Sequence, residues 1–243
     1  MIRYTLNGEK RTCKTQWHEV TLGEYLQVLL AESDTEAVSV LTGLSTGELQ
    51  QAGEQVTTLL EAAQMLLASE PSGHKPAWLM LDLGQDNVGK LELCRHYLRE
   101  HAVQSEQAYP YLYAVYAWPE QYNRLLAISG AGFPAPLVEK AKALPVTETV
   151  GALAHILSEN ERLIERYKPI LAKEPTEEQL MAGIGKFEKY GFLPTLLNKA
   201  GHVPADQEAV LDTPAYAFYQ ALCIDTERGE YEEKYHKILS EKQ

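Results

Sequence analysis

TLGEYLQVLLAESDTEAVSVLTGLSTGE, residues 21–48, decides the fold class. Three times in this stretch a hydroxyl residue is followed three positions later by glutamate: Thr21 and Glu24, Ser33 and Glu36, Ser45 and Glu48. In a capping box of this spacing the hydroxyl accepts from the amide of the third helical residue, and the carboxylate reaches back to the cap amide. Each pair therefore opens a helix: one from Thr21 to about Glu32, one from Ser33 to Leu41, and one from Ser45.

Toward the N-terminus, Ile2, Tyr4 and Leu6 alternate with polar positions and run into Asn7-Gly8. Asn-Gly suits a type I′ turn, so a β-hairpin is expected over 2–14, with its return strand at 9–14. A lone hairpin is marginal in water and must pack on the helices behind it. Toward the C-terminus, Val56, Leu59, Leu60, Ala63, Leu66 and Leu67 share one face of an expected helix over 52–68. Residues 69–77, SEPSGHKPA, form a break rich in Pro, Gly and Ser. Trp78 to Leu83 is a short apolar run, expected as a strand. Further helices are expected over 89–101, 109–118 (after Pro110), 136–142, 147–168, 175–190, 192–200, 214–224 and 228–241, with a loop at 130–136. No internal repeat or low-complexity tract is visible. The expected fold is mainly α, an N-terminal β-hairpin followed by a multi-helix body. The expected division is 1–68, a linker at 69–77, and a helical domain at 78–243.

A formal net charge of −12 sets the average surface against nucleic acid, whose binding proteins neutralise phosphates with Lys and Arg. The same charge disfavours anionic membranes, and no window approaches the roughly 18 consecutive apolar residues of a membrane span. Partners are expected to be proteins, with a homo-oligomer among the options. Cys13, Cys94 and Cys223 are odd in number and far apart, which fits small buried hydrophobes in a reducing compartment rather than disulfides or metal ligands.

Several motifs invite chemistry. Gly84-Gln85-Asp86-Asn87-Val88-Gly89-Lys90-Leu91 has the spacing of a phosphate-binding loop up to its lysine, but Leu91 stands where a Ser or Thr would hold magnesium. The expectation is a turn leading into a helix, with a nucleotide-binding protein using a degenerate loop kept as an alternative. Gly183-Ile184-Gly185 lacks the strand that a dinucleotide fingerprint requires and is expected to break or kink a helix. The histidines (His18, His74, His96, His101, His155, His202, His236) show no metal-binding spacing, and His155 falls within an apolar helix. No GxSxG elbow occurs, and the acidic clusters at Glu177-Glu178 and Glu230 to Glu233 fall on solvated helices. No catalytic residue, cofactor or metal is therefore assigned.

Tyr109, Tyr111, Tyr113, Tyr116 and Trp118 form a dense aromatic cluster. Such side chains bury a large area while keeping a polar tip; the first reading is core and the second a protein interface. Stacking on single-stranded nucleic acid is disfavoured, since Lys and Arg are absent between 100 and 123. These five are the candidate partner-binding residues.

Several segments, in order along most of the chain, carry a resemblance. They are Trp17-His18-Glu19-Val20-Thr21-Leu22-Gly23-Glu24-Tyr25-Leu26, Val40-Leu41-Thr42-Gly43-Leu44-Ser45, Asp82-Leu83-Gly84 to Glu92-Leu93, Leu144-Pro145-Val146-Thr147-Glu148 to Leu157, Tyr190-Gly191-Phe192, and the closing charged helix. Together they resemble a family of tailed-phage proteins, often encoded by phages of Bacteroidetes and crAss-like phages. The resemblance implies a non-enzymatic role in building the virion: a structural, joining or packaged cargo component, or a tail assembly chaperone. It implies other phage structural or tail proteins as partners, and the host cytoplasm during assembly, with the virion as a further option, as location. It carries over no catalytic residues. Tail assembly chaperones are commonly shorter or made in two forms, so the particle component leads and the chaperone is the alternative.

Overall fold

A computed structural model describes residues 1–6, 9–51, 56–171, 175 and 177–241. Its strands are β1 (Ile2–Leu6) and β2 (Glu9–Cys13). Its helices are α1 (Leu22–Leu29), α2 (Asp34–Thr42), α3 (Thr46–Gln51), α4 (Thr57–Leu67), α5 (Val88–Glu100), α6 (Tyr109–Ala117), α7 (Arg124–Leu126), α8 (Ala135–Lys142), α9 (Val146–Leu171), α10 (Glu177–Met181), α11 (Leu193–Lys199), α12 (Gln207–Leu211) and α13 (Ala215–Glu241). The structure is 71% helical behind a two-stranded hairpin, as the repeated capping boxes imply.

Two compact units share the chain. The first comprises 1–79, 97–122 and 133–155, and the second comprises 80–96, 123–132 and 156–243. Both are assembled from non-consecutive segments, a different kind of division from a single linker at 69–77.

In the first unit β1 and β2 pair antiparallel, Ile2 with Cys13 through Leu6 with Glu9. The expected Asn7-Gly8 turn lies outside the described residues. Ile2, Tyr4 and Leu6 turn inward against Cys13, Leu44, Val56 and Leu59, which supplies the apolar cover a hairpin needs. Arg11 on β2 bonds the Glu48 carboxylate at 2.9 Å and the Gly43 carbonyl at 3.2 Å, fastening the hairpin to α3. The Glu48 carboxyl is held down to about 2 by this hydrogen bond from Arg11 and by the Ser45 amide and hydroxyl. A second cluster joins Val20, Val38, Leu41, Ala63, Leu66 and Val146. The segment after α4 has no regular structure through residue 76, yet it is packed: a Cβ on Gly151 of α9 would overlap the His74 backbone, and one on Gly73 would overlap the Thr147 carbonyl. These residues form a strap laid backbone to backbone across α9.

In the second unit Val88, Leu91, Leu163, Ala215, Phe218 and Tyr219 form the core. Glu92 is buried there with Tyr219, beside half-buried Arg95: the Tyr219 hydroxyl donates to Glu92 and accepts from Arg95, and Arg95 Nε donates to Asn160 at 3.2 Å. This network ties α5 to α9 and α13, where removing one partner would strand a buried charge.

One fastening occurs in both units. Thr21 bridges Pro145 and Asn87 bridges Pro214, each antiparallel. In the first, the Leu22 amide donates to Leu144 and the Val146 amide to Val20; in the second, Val88 donates to Thr213 and Ala215 to Asp86, all at 2.8 Å. Each bridge precedes a helix whose third amide is capped by the bridging side chain, Thr21 Oγ1 at 3.2 Å and Asn87 Oδ1 at 3.0 Å. Each helix has glycine at its second position, against the last residue of a partner helix. A Cβ on Gly23 would stand 3.3 Å from the Lys142 Cβ and carbonyl oxygen, and one on Gly89 3.1 Å from those of Leu211. The fold thus contains a local repeat that the sequence does not display, because its partners share only a glycine and a proline amid apolar positions.

Four expected elements differ. Trp78 to Leu83 is not a strand; it is turn and coil leading to a 3-10 turn at Leu83–Gln85, with Leu79 and Leu83 buried and Leu81 exposed. No strand among the described residues is offered to it. The expected helix over 175–190 is α10 and then a 3-10 helix at Ile184–Tyr190, separated at Gly183, whose φ of +83° ends helical geometry; residues 172–174 and 176 lie outside the described residues. Conversely, 214–224 and 228–241 join into the single helix α13, with the Thr226 hydroxyl bonding back to the Leu222 carbonyl at 2.9 Å. The helix expected over 52–68 is α4 from Thr57, and 52–55 fall outside the described residues.

Candidate partner-binding cleft

The bridge at Thr21 and Pro145 brings the start of α1 beside the end of α8 in the first unit. Between these helices and the start of α6 lies an open cleft of about 590 Å³. Leu26 and Gln27 line it from α1 and Leu30 from just past its end, Glu139 and Lys142 from α8, and His101, Gln107 and Tyr111 from the third side. Such a volume is within the range of ligand sites, but the openness suits a side chain or short segment of another protein better than an enclosed small molecule.

Tyr111 makes the aromatic floor. Its ring stacks on buried Tyr97 with centroids 4.5 Å apart, has Phe133 at its edge, and lies 5.5 Å from the His101 ring. The charged rim is already paired: Glu24 accepts from the Thr21 amide at 2.9 Å and faces the Lys14 ammonium at 3.4 Å, while Glu139 pairs with Lys142 at 2.8 Å. The cleft therefore offers an aromatic surface, aliphatic walls and a charge-neutralised rim, the composition of a protein-recognition patch.

The five sequence-predicted aromatics do not form one surface. Tyr109, Tyr113 and Tyr116, at i, i+4 and i+7, share a face of α6, whereas Tyr111 points to the opposite side. Tyr113 and Tyr116 are core residues, 6% and 5% exposed. Trp78 and Trp118 meet the Tyr113 ring edge-on, and burial, then the nearby Glu148 carboxylate, raise its hydroxyl pKa. Tyr109 is half-buried, and Trp118, also half-buried, lies under the Lys140 ammonium at 4.1 Å. Of the five, Tyr111 alone lines the cleft. Its companions His101, Gln27 and Lys142 carry no sequence signal, because the bridge that gathers them is made by backbone groups.

The loop resembling a phosphate site is used internally in the second unit. The Leu83 amide donates to Glu159, Gly84 to the Asp82 carboxylate, Gln85 to the Asp82 carbonyl, Asp86 to Leu83, Asn87 to the Asp86 carboxylate and Val88 to Thr213. The Lys90 ammonium pairs with Asp86 at 2.9 Å, and a Cβ on Gly84 would fall within the Tyr216 ring. A phosphate would find no amide to bind along 83–88. All three cysteines are buried thiols; burial raises each pKa, most for Cys94. Among the described residues no group of three His, Cys, Asp or Glu is placed to hold a metal, and no helix is long and apolar enough to cross a membrane.

No protein-family model, curated protein or solved structure matches the chain.

Proposed function

We propose that this chain is a non-enzymatic phage particle protein, a structural, joining or packaged component, that binds another phage protein through the Tyr111 cleft. The observation that carries the reading is the cleft itself, an open groove with an aromatic floor and a rim whose charges are already neutralised. Of the segments that resemble tailed-phage proteins, Trp17 to Leu26 supplies one wall of the cleft and meets Leu144 to Leu157 in the bridge beside it, which links the resemblance to this surface. The net charge of −12 favours protein partners over nucleic acid or membrane, and assembly in the host cytoplasm follows from the same reading.

A second reading, a tail assembly chaperone absent from the mature virion, is favoured by one feature. Leu180, Met181, Ile184, Phe187 and Tyr190 are exposed within a single short stretch, an apolar surface of the kind that shields unassembled partners. Quantitative mass spectrometry of purified particles separates the two. Stoichiometric copies in every particle support the component; absence from particles with abundance in producing cells supports the chaperone. Absence from both would overturn the proposal.

A further inference from the structure

The fastening that both units repeat is covered in one and open in the other. With the bridges as register, Thr21 and Pro145 of the first unit stand where Asn87 and Pro214 stand in the second. Gly23 then corresponds to Gly89 and Lys142 to Leu211, and the close approach within each of those pairs agrees. By the same count Glu139 and Ala143 hold the places of Glu208 and Asp212.

In the second unit α7 lies across this seam. Asn123 caps α7 through Oδ1 and donates Nδ2 to Glu208 at 3.2 Å. Half-buried Arg124 brings its Cδ to 3.3 Å from where a Cβ on Gly89 would stand, and its guanidinium pairs with Asp212. The methylenes fill the space that glycine leaves, and the charge ends on a carboxylate. In the first unit the same seam is bare: Lys142 supplies all three of the atoms nearest a Cβ on Gly23, the third already 3.8 Å away. Gly23, Glu139 and Ala143 all line the Tyr111 cleft, so the cleft opens on the seat that Arg124 occupies in the second unit. Ala143 has no carboxylate to match Asp212, but Glu24 stands where the second unit has Lys90. Glu24 uses Oε2 for Thr21 and Lys14, and Glu139 uses Oε1 for Lys142; among the described residues the other oxygen of each has no partner. The exposed Glu139–Lys142 pair, three residues apart on one helix, yields to a guest at little cost.

We propose that the Tyr111 cleft takes an arginine from a helix-start segment of its partner, laid over Gly23 as Arg124 is laid over Gly89, with Glu24 and Glu139 as its acceptors. The inference rests on the reading of the cleft as a partner site and names the chemistry of what fills it.

The chain's own α7 sequence, as the capped peptide 121–129 (QYNRLLAIS), is the probe. Titrated into the full chain to about 5 mM and followed by NMR, it is expected to move the Gly23 and Ala143 amides saturably and to leave those of Gly89 and Asp212 in place, because their seat is filled. An Arg124→Leu peptide should bind about three- to thirty-fold more weakly, and so should the wild-type peptide to a Glu24→Gln, Glu139→Gln protein. Glutamine at 24 still accepts from the cap amide, so the helical signal should not change. No shift at Gly23 and Ala143, equal binding of the Arg124→Leu peptide, or equal binding by the doubly substituted protein would overturn the proposal. A cleft that crosslinks a particle protein from position 111 yet refuses the peptide would overturn the arginine and leave the partner site standing.

Discussion

Replacing Gly151 by alanine tests the packing of the strap on α9. In an open helical position alanine is favoured over glycine by about 0.5–1 kcal/mol. At 151 the added Cβ would overlap the carbonyl carbon and oxygen of His74 and stand 2.8 Å from the carbonyl carbon of Gly73. All three atoms are backbone, so no rotamer change relieves the contact and the strap has to lift. With only backbone to yield, the cost lies at the upper end of overpacking, about 2–3 kcal/mol, which leaves a net loss of about 1–2 kcal/mol after a gain in helix propensity of about 1 kcal/mol. For a chain of this size that corresponds to a melting temperature lower by about 2–8 °C. Trp17, Trp78 and Trp118, the three tryptophans of the chain, all lie in the first unit, so intrinsic fluorescence during thermal or urea unfolding reports on that unit. Gly47→Ala is the control, since nothing lies within 4 Å of a Cβ there; it should leave stability unchanged or raise it by up to about 1 kcal/mol. A Gly151→Ala protein that unfolds at or above the wild-type midpoint would refute the reasoning.

Other outcomes follow from the same geometry. Gly84→Ala should destabilise the wild type yet cost little in a Tyr216→Ala background, because the obstacle is the Tyr216 ring, held by Arg162 at 2.7 Å; equal costs in both backgrounds by denaturant titration would contradict this. Glu48 should titrate with a midpoint near 2 rather than its ordinary 4.5, so its contribution is fully present above about pH 4.5 and is lost as pH falls toward about 2. Carbon-13 NMR of the carboxyl checks this, and Arg11→Ala should move the midpoint back up. Tyr113→Ala should lose about 3–5 kcal/mol as a core truncation, while Tyr111→Ala should cost much less and act on partner binding instead; equal melting losses would remove the distinction between core and cleft.

What the sequence discloses follows the range of the interactions. The hydroxyl caps at Thr21, Ser33 and Ser45 are legible because the cap and the capped amide lie three residues apart, and α1, α2 and α3 begin there; the reciprocal carboxylate bond is made at Thr21 and Ser45, while at Ser33 the Glu36 carboxylate takes the Glu32 amide instead. The hairpin is legible from its alternation for the same reason. The cleft is not: Thr21 and Pro145 are distant in sequence and meet through backbone groups, which leave no side-chain signature. The strap is hidden in the same way, since a Pro- and Gly-rich stretch looks identical whether it links domains or lies flat on a helix. The division of the aromatic cluster could have been found, because helical spacing alone separates Tyr111 from Tyr109, Tyr113 and Tyr116. Density of aromatic residues draws attention to the segment, and periodicity sorts it into core and surface.

The claim that the Tyr111 cleft engages a particle protein is tested most directly by placing a photo-crosslinking residue at 111, with one at buried 113 as the comparison, in cells producing particles. The account predicts a single crosslink from 111 to a phage-encoded structural or tail protein and none from 113. Crosslinks to particle proteins that arise from other surfaces of the chain, with none from 111, would contradict it.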